Sequence, residues 1–353
     1  AWVRALVLFA LALLVKAEAL SIALVFAAAD LCLLRRLRWR ALAPVGLVCA
    51  GYLALRVAIL PPELRAYHEA GPAGRWEYLL TQFGAWWHYV GLVLAPVGLV
   101  ADHGAWPVSR SPAEPRVWLA LAGWLAVAAL LLRALPRAPA AALLGASYLL
   151  HLLPHSSLVP LAEMVNEHRP YLPVGGLFVL AAWGGWLALR AAYERPGRPA
   201  LLLLLAALFA YGGLTRERNR VWRDRYSMWE DTLEKAPLSA RANMNFGVEL
   251  QKLKRYEEAE RHFARAVELA PDYPYAHVNY AIQLRWRGDF ARSDFHYDEA
   301  VRVAPRDPVG PLWRARARKA AGDLVGAQAD WQRVLELEPH NAEARAELGL
   351  SAP

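Results

Sequence analysis

Four residues able to handle charge and protons, Glu167, His168, Arg169 and Tyr171, fall within the stretch MVNEHRPYLP (Met164–Pro173). The chain on either side is strongly apolar: SYLLHLLPHSSLVPLAE precedes it and VGGLFVLAAWGGWLAL follows it. An arginine guanidinium is a planar fork of donors suited to phosphate. A tyrosine at the head of a long apolar run adds a hydrogen bond at headgroup level. Arg169 and Tyr171 are therefore candidate phosphate ligands, with Lys16 and Arg56, near the ends of other apolar runs, to assist. The competing reading makes Arg169 and Tyr171 interface anchors. Glu167 is expected to orient Arg169 rather than to act as a base. Asp102, beside His103, is the other carboxylate that could serve in catalysis, or it caps a loop. His151 and His155 lie four apart upstream of Glu163, Glu167 and His168, but Pro154 interrupts them and the spacing matches no compact metal site. No metal is expected.

These residues are held by a chain of two unlike halves. Residues 1–214 carry 17 Lys/Arg and 10 Asp/Glu set between long apolar runs, whereas residues 215–353 carry 23 and 22 and contain no membrane-length run. The net charge of +8 thus belongs mainly to the first half and reads as a topology signal. A nucleic-acid partner is not expected. Cys32 and Cys49 both lie inside apolar runs, so neither a disulfide framework nor a zinc site is expected.

Apolar runs near the length a bilayer requires occur at 2–15, 19–34, 41–60, 117–132, 138–153, 171–189 and 199–214. Three breaks between them are short and basic: RRLRWR (Arg35–Arg40), RALPR (Arg133–Arg137) and RAAYERPGR (Arg190–Arg198). The positive-inside rule places these three in the cytoplasm, and the stretch around Arg169 and everything after 214 outside. Residues 85–101 would upset this parity if they crossed. Trp86, Trp87, His88 and Tyr89 favour an interfacial or re-entrant helix there.

The second half is periodic. Prolines recur at 237, 271, 305 and 339, aromatics at Trp229, Phe263, Tyr297 and Trp331, and small residues at Gly247, Ala281, Ala315 and Gly349. The common spacing is the period of the tetratricopeptide repeat, a helix–turn–helix unit. Small residues let paired helices approach, the aromatic fills the space between repeats, and the proline stops the second helix. Full repeats are expected at 240–273, 274–307 and 308–341, after a junction helix within 215–239 and before a partial closing helix. Gly288 and Gly322 fall at the turn within a repeat. Stacked repeats form a solenoid with a concave groove. Asn245 and Asn279, one period apart, line it, and Trp313 takes the equivalent place in the third repeat. The asparagines resemble the ladder in O-GlcNAc transferase repeats, where amides grip an extended peptide backbone. The alternative is a pair of ordinary polar residues on a solvated face.

A polytopic first half followed by extracytoplasmic repeats resembles the transmembrane O-mannosyltransferases with repeat domains and their bacterial relatives, of the C-type glycosyltransferase superfamily. Four stretches carry the resemblance, in order: LLVKAEALSIALVFAAADL, YLLTQFGAWWHYVGLVLAPVGLVADHGAWPVS, LLPHSSLVPLAEMVNEHRPYLPVGGLF and RNRVWRDRYSMWEDTLEKAPLSARANMNFG. There are departures. Ala17 separates Lys16 from Glu18, Val174 stands where the family often has serine, and no acidic pair of the catalytic-loop type occurs in residues 1–214. The matching segments are those of the family's later helices.

The resemblance implies an all-α chain: a transmembrane bundle followed by a tetratricopeptide-repeat solenoid. As the C-terminal part of a longer enzyme, it would take a sugar from a polyprenyl-phosphate donor, with Arg169, Tyr171, Lys16 and Arg56 holding the lipid phosphate, and hold a protein acceptor in the groove. A divalent ion would be the only addition, and is not expected. The alternative is a membrane-anchored repeat scaffold without catalysis. The partners are membrane lipid and a protein or peptide. The Ala-, Leu- and Arg-rich composition favours a bacterial inner membrane with periplasmic repeats, or, in a eukaryote, the lumen of the endoplasmic reticulum.

Overall fold

A computed structural model describes residues 2–59, 74–104, 106–154, 156 and 163–350. Among these residues every regular element is helical. The first unit, residues 1–99 with 106–218, contains α1 (Trp2–Val15), α2 (Leu20–Leu34), α3 (Trp39–Ile59), α4 (Arg75–Leu94), α5 (Pro115–Ala134), α6 (Pro139–Leu152) and α7 (Val174–Ala192). Most of α8 (Gly197–Val221) belongs to it too. Short 3₁₀ turns at Ala17–Ala19 and Arg169–Tyr171 precede α2 and α7.

Among the described residues, five helical segments are long and apolar enough to cross a membrane, by length and composition: Ala17–Leu34, α3, α5, α7 and α8. α1 and α6 are apolar but have 14 residues each. At 1.5 Å per residue each measures about 21 Å, short of a hydrocarbon core of about 30 Å. α7 and α8 bury no side chain, and Leu201–Leu205 all stand exposed.

The helix expected near 85–101 instead runs Arg75–Leu94, because Gly74 N donates to Glu77 Oε2 (3.0 Å) at its start and Pro96 follows its end. It is not an apolar rod. Tyr78, Thr81, Gln82, Ala85, Trp86 and Tyr89 form one buried face. Trp124, Tyr148, Leu152, Met164 and Val165 complete that core. Three of its donors are bonded: Trp124 Nε1 donates to Phe83 O (3.0 Å), Tyr148 Oη to Trp86 O (2.6 Å) and Gln82 Nε2 to Met164 O (3.0 Å), whereas Gln82 Oε1 and Trp86 Nε1 are buried without a partner among the described residues. Such pairing offsets the cost of burying the donors.

The second unit comprises residues 100–105 and 219–353. Its helices are α9 (Arg225–Lys235), α10 (Ala240–Lys252), α11 (Tyr256–Leu269), α12 (Pro274–Trp286), α13 (Phe290–Val303), α14 (Val309–Ala320), α15 (Leu324–Leu337) and α16 (Ala342–Glu347). α9, α11, α13 and α15 each end two residues before the proline at 237, 271, 305 or 339. Side-chain caps start α9, α10, α13, α15 and α16, from Asp224, Ser239, Asp289, Asp323 and Asn341.

The repeating pattern has a steric basis. Phe263 is fully buried, and a Cβ on Gly247 would lie 2.7 Å from its ring. Trp229, Tyr297 and Trp331 are buried at the equivalent places, and Ala281 and Ala315 have no exposed surface. Gly349 departs from the pattern. It follows the last helix with φ +69, so it ends α16 rather than receiving an aromatic ring.

Gly288 and Gly322 turn the chain within their repeats at φ +82 and +85. In the first repeat that place is Lys254, held at φ 59. A side chain in this region costs about 1–2 kcal/mol, partly returned by the lower entropy of the unfolded chain. Lys254→Gly is therefore expected to raise stability by about 0.5–1 kcal/mol, read as a higher midpoint of chemical unfolding.

Candidate functional site

The polar break before α7 is organised around Arg169, which is 4% exposed. Its Nη1 donates to Tyr78 Oη (3.1 Å) and Met164 O (3.2 Å), and its Nη2 donates to Glu163 O. Tyr89 Oη accepts from Asn166 N (3.1 Å) in the same knot. The guanidinium thus closes residues 163–169 onto α4. Glu167 makes an ion pair with Arg218 at 3.8 Å. Tyr171, two residues further on from Arg169, is 85% exposed. The motif therefore joins one inward cation and one outward phenol. Its polar residues divide between the interior and the surface because the 3₁₀ turn rotates successive side chains apart.

The other members of the candidate set lie apart from this knot. Lys16 pairs with Glu18 (2.9 Å) at the turn before α2. Arg56 is exposed in the last turn of α3 and donates to Tyr52 Oη (3.3 Å). His151 Nδ1 lies 2.7 Å from Ser21 Oγ. His155 falls outside the described residues. No group of three metal-type ligands occurs among the described residues.

Asp102 belongs to the repeat unit. It is buried, its Oδ2 accepts from Ser239 Oγ (2.9 Å) and its Oδ1 accepts from Gly104 N (3.2 Å). Ser239 Oγ accepts from Ala242 N (2.9 Å) and so caps α10. Ala101 N donates to Thr232 Oγ1 at 3.4 Å. A Cβ on Gly104 would collide with Ser239, so the close approach needs glycine. Asp102 is built as a brace for the first repeat.

Asn245, Asn279 and Trp313, expected to line a groove, sit on the first helix of their repeats. Asn245 Nδ2 donates to Arg241 O (2.8 Å) and Asn279 Nδ2 to Tyr275 O (2.8 Å), each one turn back on its own helix. Asn279 Nδ2 also approaches Met244 Sδ (3.5 Å). These bonds fix both amides and leave the carbonyl oxygens as acceptors. Trp313 is half-buried, with the Arg316 guanidinium 4.3 Å above its ring. Arg316 in turn pairs with Glu343 through both nitrogens, the Nε–Oε1 contact being 2.7 Å, and Lys319 pairs with Glu347 at 2.6 Å. α14 and α16 are thus clasped together.

Electrostatics elsewhere in the array are internal. Buried Asp330 accepts from Arg314 Nε (3.0 Å) and Nη2 (2.6 Å) and from Arg318 Nη1 (2.9 Å). Burial pushes the Tyr297 hydroxyl up to about 12. Burial raises the Asp307 carboxyl against the opposing bond from Val309 N. Burial also lowers the His262 imidazole, and lowers that of His296 to about 4 with help from His277 and Arg292. Two paired sites, Asn243 with His262 and His277 with His296, were not singled out from the sequence. Their signal is the period itself, since each partner of the second pair lies one repeat after its counterpart.

The fold defines an all-α protein with a helical-repeat array, and the array is of tetratricopeptide type. Residues 240–273 match the tetratricopeptide repeat family model. Comparison with curated proteins found no match. Among solved structures, the first repeat domain of the human RPAP3 protein is 30% identical, covering 31% of this chain and 87% of that one, with a TM-score of 0.30. The Arabidopsis OM64 repeat domain is 21% identical over 31% of this chain and 91% of that one, TM-score 0.29. YrrB, a repeat protein described as having an unusual peptide-binding site, is 18% identical over 40% and 72%, TM-score 0.31.

Proposed function

We propose that this chain is a membrane-anchored repeat protein that holds an extended segment of a protein partner in the groove of its tetratricopeptide array. The observation that carries the reading is the pair Asn245 and Asn279. Both occupy one place on successive repeats, both are pinned by their own helices, and both leave a carbonyl oxygen to accept from a passing backbone N–H. Solenoids of this kind use the concave face for binding. Trp313 supplies an apolar plate at the next step along the groove. The five long apolar helices supply the anchor, and the three basic breaks favour repeats on the far side of the membrane from the cytoplasm.

The test is a phage-displayed peptide screen against the full chain in detergent. Selected peptides are expected to lose roughly tenfold or more in affinity when Asn245 and Asn279 are both changed to Ala, the loss of two hydrogen bonds at about 1 kcal/mol each. Binding unaffected by that double change and by Trp313→Ala would sink the reading.

A second reading is that the chain is the C-terminal part of a C-type glycosyltransferase, with the groove holding the acceptor. What favours it is the order of the four family-like stretches along the sequence. On this reading exposed Tyr171 and Arg56, with Lys16, meet the polyprenyl phosphate, while Arg169 shapes the surface beneath them. The carboxylate would come from outside the set Asp102 and Glu167, since Asp102 is committed to Ser239 and Glu167 to Arg218. Sugar transfer from a polyprenyl-phosphate donor to a groove-bound peptide is the deciding measurement. Transfer unchanged by Tyr171→Phe combined with Arg56→Gln would remove those residues from the donor site.

A further inference from the structure

The first two repeats solve one structural problem with different chemistry. In the first, Asn243 Nδ2 donates to Pro237 O (3.2 Å) and Ser239 O (2.9 Å), and its Oδ1 faces His262 Nδ1 at 3.0 Å. In the second, at the equivalent positions, His277 Nε2 faces Pro271 O (2.9 Å) and its Nδ1 faces His296 Nδ1 at 3.0 Å. An imidazole thus replaces an amide as the link joining the inter-repeat turn to both helices of the repeat. The third repeat has Pro311 and Asp330 at these places and uses arginines instead.

The tautomers follow from the partners. Pro271 O only accepts, so His277 carries its proton on Nε2 and presents a bare Nδ1. His296 must then donate from its own Nδ1, leaving Nε2 bare. Asn243 Oδ1 likewise requires a proton on His262 Nδ1, and that requirement is met whether His262 is neutral or charged. The second link is different. A proton added at His277 Nδ1 sets two N–H groups against each other. A proton added at His296 Nε2 keeps the bond but puts a charge on a ring that is 9% exposed.

We propose that the His277–His296 pair is an acid-operated latch: neutral, it ties the turn after α11 to α12 and α13; an added proton, which either sets two N–H groups against each other or charges a buried ring, shifts it toward release, while the Asn243–His262 link keeps its bond in either state of His262. The groups facing His296 favour this. Tyr280 and Phe295 wall it with rings at 4.6 and 5.1 Å. The Arg292 guanidinium opposes a charge there, as does His277 from α12. Glu299 is the one opposing influence, and it is engaged by Arg302 at 2.7 Å. Because α12 carries Asn279, opening this repeat would disturb the groove where a partner's backbone would lie.

Hydrogen exchange of the full chain in detergent, read by mass spectrometry between pH 7.5 and 5 and corrected for intrinsic exchange, tests the latch. With a folded value of about 4 and an open-state value of about 6.5, protection of segments in 271–300 is expected to fall roughly 30-fold by pH 5. Protection of 237–266 is expected to fall much less. His277→Asn, which copies the first repeat, is expected to abolish the difference; if that variant does not fold, His296→Asn serves, since its amide can still donate to His277 Nδ1. An equal response of both repeats in the unaltered chain overturns the proposal. So does an excess pH response of 271–300 over 237–266 that survives either substitution.

Discussion

Replacing Arg169 by alanine is expected to lower the stability of the first unit by about 3 kcal/mol, with Arg169→Lys recovering part of the loss. The arginine is almost fully buried and donates to three acceptors, Tyr78 Oη, Met164 O and Glu163 O. Removing it strands those acceptors in a core lined by Tyr78, Trp86 and Tyr89, and buried polar groups without partners cost about 1–3 kcal/mol. A lysine keeps the charge, but its ammonium cannot reproduce the fork. The measurement is the thermal midpoint in detergent micelles, set beside lipid binding. An Arg169→Ala protein with an unchanged midpoint but weakened binding of polyprenyl phosphate would return Arg169 to the role of phosphate ligand expected from its sequence.

The second large effect is expected from Phe263→Ala, at about 3–5 kcal/mol of repeat stability. Phe263 fills the space over Gly247 and belongs to a core with Trp229, Phe246, Leu250, Tyr280 and Leu284, which come from the repeats on either side as well as its own. In a stacked array each repeat depends on its neighbour, so a cavity here weakens two interfaces together. Denaturant unfolding followed by tryptophan fluorescence is expected to show a lower midpoint and a broader transition as the first repeat uncouples from the rest. A shift under about 1 kcal/mol would mean that the neighbours collapse into the space.

Much of the second half was legible because one interaction recurs. Proline, aromatic and small residue each answer to a local steric demand that every repeat meets again, so the pattern survives wide variation elsewhere in the unit. Lys254 shows the limit: the backbone conformation is repeated although the residue suited to it is not. The roles of Arg169 and Asp102 were hidden for a different reason. Both are charged residues in breaks between apolar runs, which is also how a solvated loop reads. What draws each inward is a partner far along the chain, Tyr78 for Arg169 and Ser239 for Asp102. The pairing of Glu167 with Arg218, rather than the expected service to Arg169, is of the same kind. The histidine pair escaped notice because Asn243 and His277 belong to different residue classes: the period makes them equivalents, and their bonding shows that they do the same work.

The bond between Asp102 and Ser239 closes a span of 137 residues. The repeat array is therefore not a continuous stretch of sequence, and a protease or a cloning boundary placed just before Asn219 would part it from a piece of itself. Such a fragment would begin with an uncovered α9 and a Ser239 without its carboxylate. Supplying the missing segment as a separate peptide spanning residues 99–105 should restore order to the start of α10, which makes this half of the chain a natural candidate for a two-piece complementation experiment.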